Sequence, residues 1–507
     1  MKRPMKRQAS EETAMRYSVA GAVGAGLLAV VLGTALPSCE VGPDYQRPAM
    51  AVPTTYRSAD TQPTTAPALD QAWWRLFHDD TLTALEESAL AANTDLQAAM
   101  ARVSEARAAV DVAKSQYYPS VTANPTAFRS RTSANAPGGQ ASTGNLITVP
   151  VDLSYEIDIW GRVRRSVEAA QAPYQASIAD LEVVRQTLLA DVANDYFTIR
   201  SLDAQAQIID RNLDLYRSQI KTIQQQLAAG LVTNIDVLQV QVQLEATRAQ
   251  GLDLRRQRTD AQHALATLLG RAPTELTVAV RPLDVAPPEI PPGLPAELLR
   301  RRPDVAEAEL NLIAANAQVG VATANFYPVV KLTGLAGYES VDVQHLVDWQ
   351  SRIWSIGPSI SAPIFEGGQL TASLRQAKAR SQELQASYRG TVLGAFRDVE
   401  VSLTDIHLFA DQADAEAHAV AAAREYLRLA QTQYDQGIVN LLQVIDADRA
   451  VLTNELSAAQ TLNQRMAATI LLIKAMGGGW DSSTPPRVDV PHPESEPESR
   501  AATVRER

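Results

Sequence analysis

One cysteine and six histidines are the side chains best suited to chemistry in this 507-residue chain. Cys39 stands alone, which rules out an intrachain disulfide. It follows an apolar run from Val19 to Leu36, which is preceded by Lys2, Arg3, Lys6, Arg7 and Arg16. Positive segment, apolar segment and cleavage site, in that order, make a secretory signal peptide over residues 1–38. Small Ser38 before a lone Cys resembles a bacterial lipobox, although Pro37 fits that pattern imperfectly. Cleavage there would free the Cys39 thiol for a diacylglycerol and its amine for a third acyl chain, and stable anchoring needs more than one chain. Glu40 stands where an Asp would favour inner-membrane retention, so outer-membrane sorting is expected. The leader is long if it begins at Met1, and Met15 would give a shorter one.

The histidines (His78, His263, His345, His407, His418 and His492) are scattered, without the short spacings of a metal site. After the leader there is no phosphate-binding loop, dinucleotide fingerprint or nucleophile elbow. The sequence therefore predicts no enzyme, no metal and no cofactor. Net charge is −11, and removal of residues 1–38 takes five Lys/Arg and two Asp/Glu with it, leaving −14. So acidic a chain is a poor nucleic-acid binder; the charge suits either solubility or a pore that favours cations.

The composition, 46% hydrophobic with only 5% aromatic, suits long helices with a narrow apolar seam. Residues 39–79 are rich in Pro, Thr and Ala and read as an extended strap, into which Trp73 and Trp74 pack. A helical region follows from about Asp80 to Tyr117, where Pro119 stops it. Strands are expected at about 120–130 and 146–159. From Arg162, apolar residues from Leu188 through Tyr196, Ile209 and Tyr216 to Leu227 recur at a spacing close to 3.5, the coiled-coil period. A helix over 162–229 would be roughly 100 Å long at 1.5 Å per residue. Pro173 should kink it and Gly230 end it, and Asn234 and Asp236 open a returning helix to Gly270. So long a hairpin must pack laterally against others.

The pattern then repeats. Tyr118-Pro119 recurs 209 residues later as Tyr327-Pro328, and Gly161, Gly230 and Gly270 recur about 207 residues later near Gly367 and at Gly437 and Gly477. The first module is 80–270, a Pro-rich linker covers 271–300, and the second module is 301–476. It should contain strands at about 328–338 and 354–365 and a helical hairpin over 368–475. Residues 477–507 read as a disordered tail.

The strands raise the membrane question. Ile147, Val149, Val151, Leu153, Tyr155, Ile157 and Ile159 alternate with polar and acidic residues, and Trp354, Ile356, Pro358, Ile360, Ala362 and Ile364 do the same against serines and a glycine. Their lengths approach the 9–11 residues of a tilted membrane strand. A soluble sandwich with one buried face would share this alternation. Four strands cannot enclose a lumen, and open edges are not tolerated in lipid, so the membrane reading requires oligomerisation.

Several segments, in order, resemble the TolC/OprM superfamily, specifically its lipoprotein outer-membrane factors. They are Val41-Gly42-Pro43-Asp44-Tyr45-Gln46-Arg47-Pro48, Trp73-Trp74-Arg75-Leu76-Phe77, Asp158-Ile159-Trp160-Gly161-Arg162, Arg301-Arg302-Pro303-Asp304-Val305, Gly357-Pro358-Ser359, Pro363-Ile364-Phe365-Glu366-Gly367-Gly368 and Gly477-Gly478-Gly479-Trp480. The resemblance covers about residues 36–480. It implies a mixed α and β fold of duplicated strand-pair and helical-hairpin modules. A homotrimer would close a 12-strand outer-membrane β-barrel continuous with a periplasmic α-helical barrel. The implied role is a passive exit duct in a tripartite resistance–nodulation–division (RND) pump, working with a periplasmic adaptor (a membrane fusion protein) and an inner-membrane transporter. An outlet for type I protein secretion is the alternative within this fold, and a poreless periplasmic coiled-coil adaptor the alternative outside it.

The resemblance also implies a periplasmic gate. Asp446 matches a lumen-facing aspartate, Leu442 an apolar constriction residue, and Asp236 with Tyr434 a carboxylate–hydroxyl bridge. Val439 and Gln443 stand where TolC itself has an arginine and a second aspartate, so one tier of its latch is missing. Gly230 and Leu231, with Gly437 and Ile438, form the hairpin tips on which the adaptor is expected to dock.

Overall fold

The computed structural model describes residues 40–53, 55–57, 69–135, 139, 141–291 and 295–481. Cys39, the signal segment and the chain after Asp481 lie outside them. In chain order the elements are helices α1 (Asp80–Ala92) and α2 (Thr94–Ser115), strands β1 (Ser120–Ala123), β2 (Thr126–Arg131) and β3 (Thr143–Ile157), helices α3 (Arg162–Ala228), α4 (Asn234–Leu268), α5 (Pro295–Arg301) and α6 (Pro303–Ala324), strands β4 (Val329–Ser340) and β5 (Arg352–Ser361), and helices α7 (Gln369–Asp435) and α8 (Leu441–Ala475). They fold as two units. One comprises residues up to Gln46, Ala109–Gln171 and Ile313–Gln382; the other comprises Arg47–Ala108, Ala172–Leu312 and the chain from Glu383.

The duplication is regular: α3 and α7 each have 67 residues, and α4 and α8 each have 35. The strands expected at about 146–159 and 354–365 run instead over Thr143–Ile157 and Arg352–Ser361, and two further elements divide for local reasons. The first helical region divides at Asn93, whose extended backbone ends α1 while its side-chain oxygen accepts from Leu96 N at 2.9 Å. Asn and Asp readily make such local bonds and so serve helix ends better than helix interiors. The first strand divides at Asn124-Pro125, and β1 and β2 pair different stretches of β3 on either side of Pro150. Proline brings no N–H to a ladder.

All five strands belong to the first unit and form one antiparallel sheet, in which β3 pairs with β1 and β2 on one side and with β4 on the other, and β4 pairs with β5. Registers such as Val151 to Ala336 and Gly334 to Ile356 put like with like. One face carries Ile147, Val149, Leu153, Leu332, Trp354, Ile356 and Ile360. The other carries Thr148, Asp152, Glu156, Lys331, Thr333 and Ser359. Trp354, Ile356 and Ile360 are each more than two-thirds exposed, so the apolar face is uncovered. Opposite Pro150, a Cβ at Gly337 would run into the Val149 carbonyl, and only glycine fits there.

At the base of the sheet, Asp158 accepts from Val163 N at 3.0 Å and Arg164 N at 2.9 Å, capping α3. Arg162 forks onto Glu156 at 2.7 and 2.8 Å. Trp160 stacks on Tyr327 and donates to the Pro328 carbonyl at 2.8 Å. The start of the strap is bound in the same unit. Buried Arg165 pairs with Glu40 at 2.9 Å and Asp44 at 2.6 Å, and Asn316 donates to the Pro43 carbonyl.

The second unit is helical. Its largest apolar cluster joins Trp73 and Trp74 to Leu82, Leu188, Val192, Tyr196, Phe197, Leu265 and Ile470. The linker contributes Leu276, Val278 and Leu283 to the same cluster. The seam residues Leu202, Ile209, Leu213, Tyr216 and Ile223 continue the core in two further clusters with α4 and α8. Gly477–Trp480, which the sequence assigns to the start of the tail, form an ordered turn: Gln186 donates to the Gly477 carbonyl at 2.6 Å and Trp480 is buried.

Asp79 is the polar centre of this unit. One carboxylate oxygen caps α1 through Thr81 N and Leu82 N, and the other accepts from Tyr196, Arg200 and Arg281 at 3.0 to 3.1 Å. Arg200 is itself fully buried. Removing one partner of a buried pair strands the other charge and typically costs about 3–5 kcal/mol. Asp79→Ala should accordingly lower the thermal unfolding midpoint by several degrees. A midpoint within a degree of the wild type would contradict this account of the hub.

Candidate functional site

The tips of the two hairpins are built alike. At the first, Gly230 N donates to the Leu227 carbonyl and Leu231 N to the Gln226 carbonyl. At the second, Gly437 N donates to Tyr434 and Ile438 N to Gln433, all four at 2.9 Å. This pattern closes a helix with a left-handed residue, and both glycines have φ near +73°. The apolar residue that follows each one is left exposed, Leu231 at 75% and Ile438 at 67%.

The returning helices begin with different caps. Asn440 accepts from Gln443 N to open α8. At α4, Asp236 occupies the third helical position and reaches back to Thr233, accepting from its N–H and its hydroxyl, each at 2.8 Å. This capping box satisfies helix-start donors that otherwise lack partners.

The cap corrects one expectation. Among the described residues the Asp236–Tyr434 bridge is not made: Asp236 Oδ2 accepts both bonds from Thr233. The Tyr434 hydroxyl instead donates to Gln226 at 3.4 Å. The two groups still feel one another: burial raises the Tyr434 phenol above its usual range, and the negative charge of Asp236 adds to the effect.

Leu442 and Asp446 lie one helical turn apart on α8, and both are exposed. Leu441, Val444 and Ile445 turn inward to the core. The structure thus brings together an apolar and an acidic side chain on the outward stripe. Arg449 approaches Asp446 at 3.9 Å, while its Nε donates to Gln243 at 2.6 Å.

The sequence reading missed Asp448, which sits on the inward stripe between Ile445 and Leu452 and is only 1% exposed. A carboxylate interrupting an apolar seam is the signal that would have found it. Gln219 donates to it at 3.0 Å, and burial raises its pKa. Its charge in turn adds to burial in pushing buried Tyr216 up to about 12. Asp195 on α3 is a second such group, pushed up to about 6 by burial and by neighbouring Asp191. Among the described residues no group of His, Cys, Asp and Glu could hold a metal ion, and no helix is long and apolar enough to cross a membrane.

An uncovered apolar sheet face and paired helical hairpins make a strong fold signature. Residues 85–271 and 294–478 match the model of the outer membrane efflux protein family. The chain belongs to that family. It is 32% identical to the outer membrane protein OprJ of Pseudomonas aeruginosa over 461 residues, spanning 90% of this chain and 96% of OprJ. It is 31% identical to the toluene efflux pump outer membrane protein TtgC of Pseudomonas putida over 459 residues, spanning 89% of this chain and 94% of TtgC. Among solved structures, the outer-membrane channel OprN superposes with a TM-score of 0.83 at 32% identity, covering 87% of this chain and all of that one. This efflux protein is therefore an outer-membrane channel, not an enzyme, with its helical part in the periplasm.

Buried Asp448 generates a pH prediction. Its carboxyl pKa is higher folded than unfolded, so the folded state holds its proton more tightly. Stability linked to this group is full below about pH 4 and declines as pH rises through the raised value. Asp448→Asn should raise the unfolding midpoint at pH 8 and leave it unchanged at pH 3.5. An equal shift at both pH values would contradict the sign.

Proposed function

We propose that this efflux protein is the exit duct of a tripartite RND-type pump, passing drugs or other small molecules passively through a gated trimeric channel. The observation that carries the reading is the single sheet with its apolar face uncovered and its outer edges, at β1 with β2 and at β5, unpaired. In hydrocarbon every strand edge must find a partner, and copies of the same chain supply one. Three copies contribute twelve strand paths and twelve hairpin helices. The names of TtgC and of the antibiotic efflux pump protein ArpC of Pseudomonas putida support small organic molecules as the cargo class.

In this reading the trimer repeats Leu442 and Asp446 around its axis, as an apolar ring and an acidic ring one turn apart. These rings narrow the periplasmic entrance. A ring of carboxylates also favours cations. Leu231 and Ile438 offer exposed apolar contacts to the periplasmic adaptor, and the Asp236 cap holds one tip in the shape that presents them. Cys39 carries the acyl chains that tether the N-terminus to the outer membrane.

Bilayer recordings test the duct. The purified protein should run as a heat-labile trimer and conduct in planar membranes, and Asp446→Ala should raise its conductance several-fold. A monomer that fails to conduct even as Asp446→Ala would sink the proposal. Labelled palmitate should enter the wild-type chain and not Cys39→Ser; equal incorporation in both would remove the anchor from the reading.

A further inference from the structure

The sheet distributes its charges unevenly. Strand alternation and register put Asp152, Glu156, Lys331 and Glu339 on the polar face. On the apolar face the strands carry no Asp or Glu, but they do carry three arginines. Arg129 and Arg131 lie opposite Asn145 and Thr143, and Arg352 lies opposite Tyr338. Counted by twos along the strands, they share the face of Ile147, Val149 and Trp354. All three stand at one end of the sheet, where β2 turns into β3 and β4 into β5. The other end of this face, at Val121, Ile157, Val330 and Ile360, is uncharged.

Among the described residues none of the three has a carboxylate partner. Arg129 and Arg131 are exposed and face the neutral Asn145 and Thr143 across the ladder. Arg352 lies over the ring of exposed Trp349 and donates to its carbonyl at 3.4 Å. Guanidinium groups on a lipid-facing surface are unfavourable unless they meet headgroups or an anion. Their planar fork matches phosphate oxygens in pairs. The strand ends that lead into the helices face the periplasm, so the arginine-bearing end faces the cell surface. In an outer membrane that leaflet is built of phosphorylated glycolipid.

We propose that Arg129, Arg131 and Arg352, with Trp349 and Trp354, form a rim that binds the phosphates of an outer-leaflet glycolipid of the lipid A type. The arginines pair with the phosphates while the indoles lie at the level where headgroup meets acyl chain. The rim rests on the barrel reading above. The register also places Arg129 and Arg131 near one edge of the sheet and Arg352 at the other. Edge-to-edge assembly would bring the two sets together at each seam.

Native mass spectrometry of the detergent-purified full-length protein tests this, with bisphosphorylated lipid A, its dephosphorylated form and phosphatidylglycerol as probes. The wild type should retain bisphosphorylated lipid A at least tenfold better than either of the others, and less well as salt is raised. The triple variant Arg129→Gln, Arg131→Gln, Arg352→Gln should lose that preference, and the triple Lys variant should keep part of it. Retention of all three probes alike by the wild type would overturn the rim, and this arm needs no variant to fold. Undiminished preference in a triple Gln variant that still conducts would overturn it equally. Conductance in planar bilayers reports on the barrel separately, since loss of lipid preference with normal conductance leaves the duct intact.

Discussion

A β-sheet in hydrocarbon cannot leave a backbone edge unpaired, and that constraint governs the rest of this molecule. The described residues make four strand paths, and among them no second layer packs against the apolar face. A soluble sandwich would cover the apolar face with a second sheet and leave its strand edges to water. Here the second module adds its strands to the same sheet, extending it sideways and leaving its apolar face bare. Local features serve that plan. Gly337 makes room for Pro150, and Asp158 starts a helix only a few residues after β3 ends.

The helical unit answers a different demand. Helices of 67 and 35 residues expose much surface for the core they bury, so their stability is spread along a seam. The seam alternates apolar clusters with isolated polar ties such as Asp448 with Gln219 and Arg258 with Asp203. Near the first module's start the ties concentrate at Asp79, where helix capping and ion pairing share one carboxylate. Burial raises the Glu86 carboxyl on α1 well above the usual carboxylate range.

Much of this was legible in the residues. The glycines at 230 and 437 marked the hairpin tips because left-handed helix ends have few alternatives. Strict alternation from Ile147 to Ile157 marked a strand with two unlike faces. The spacing from Leu188 to Leu227 is enough to identify the seam. The splits at Asn93 and at Pro125 are less visible, since a side-chain cap and a missing N–H interrupt elements that the hydrophobic pattern leaves continuous. The order of Gly477–Trp480 was hidden because it depends on Gln186, almost three hundred residues earlier. Leu442 and Asp446 were singled out by the family resemblance, and their shared outward stripe on α8 is a finding of the structure. The Asp236 capping box and the Tyr434 hydroxyl's turn to Gln226 both depend on side-chain geometry at the tips that residue types alone do not fix.

The equal lengths of the paired helices carry an evolutionary consequence. Both long helices start and stop 207 residues apart, and so do both returning helices. An insertion of one residue in one hairpin would rotate every side chain beyond it by about 100° relative to its counterpart. It would also leave two kinds of wall of unequal height. Insertions are therefore tolerable only in matched pairs or in the connecting loops. The two halves are free to diverge in sequence while remaining locked in length.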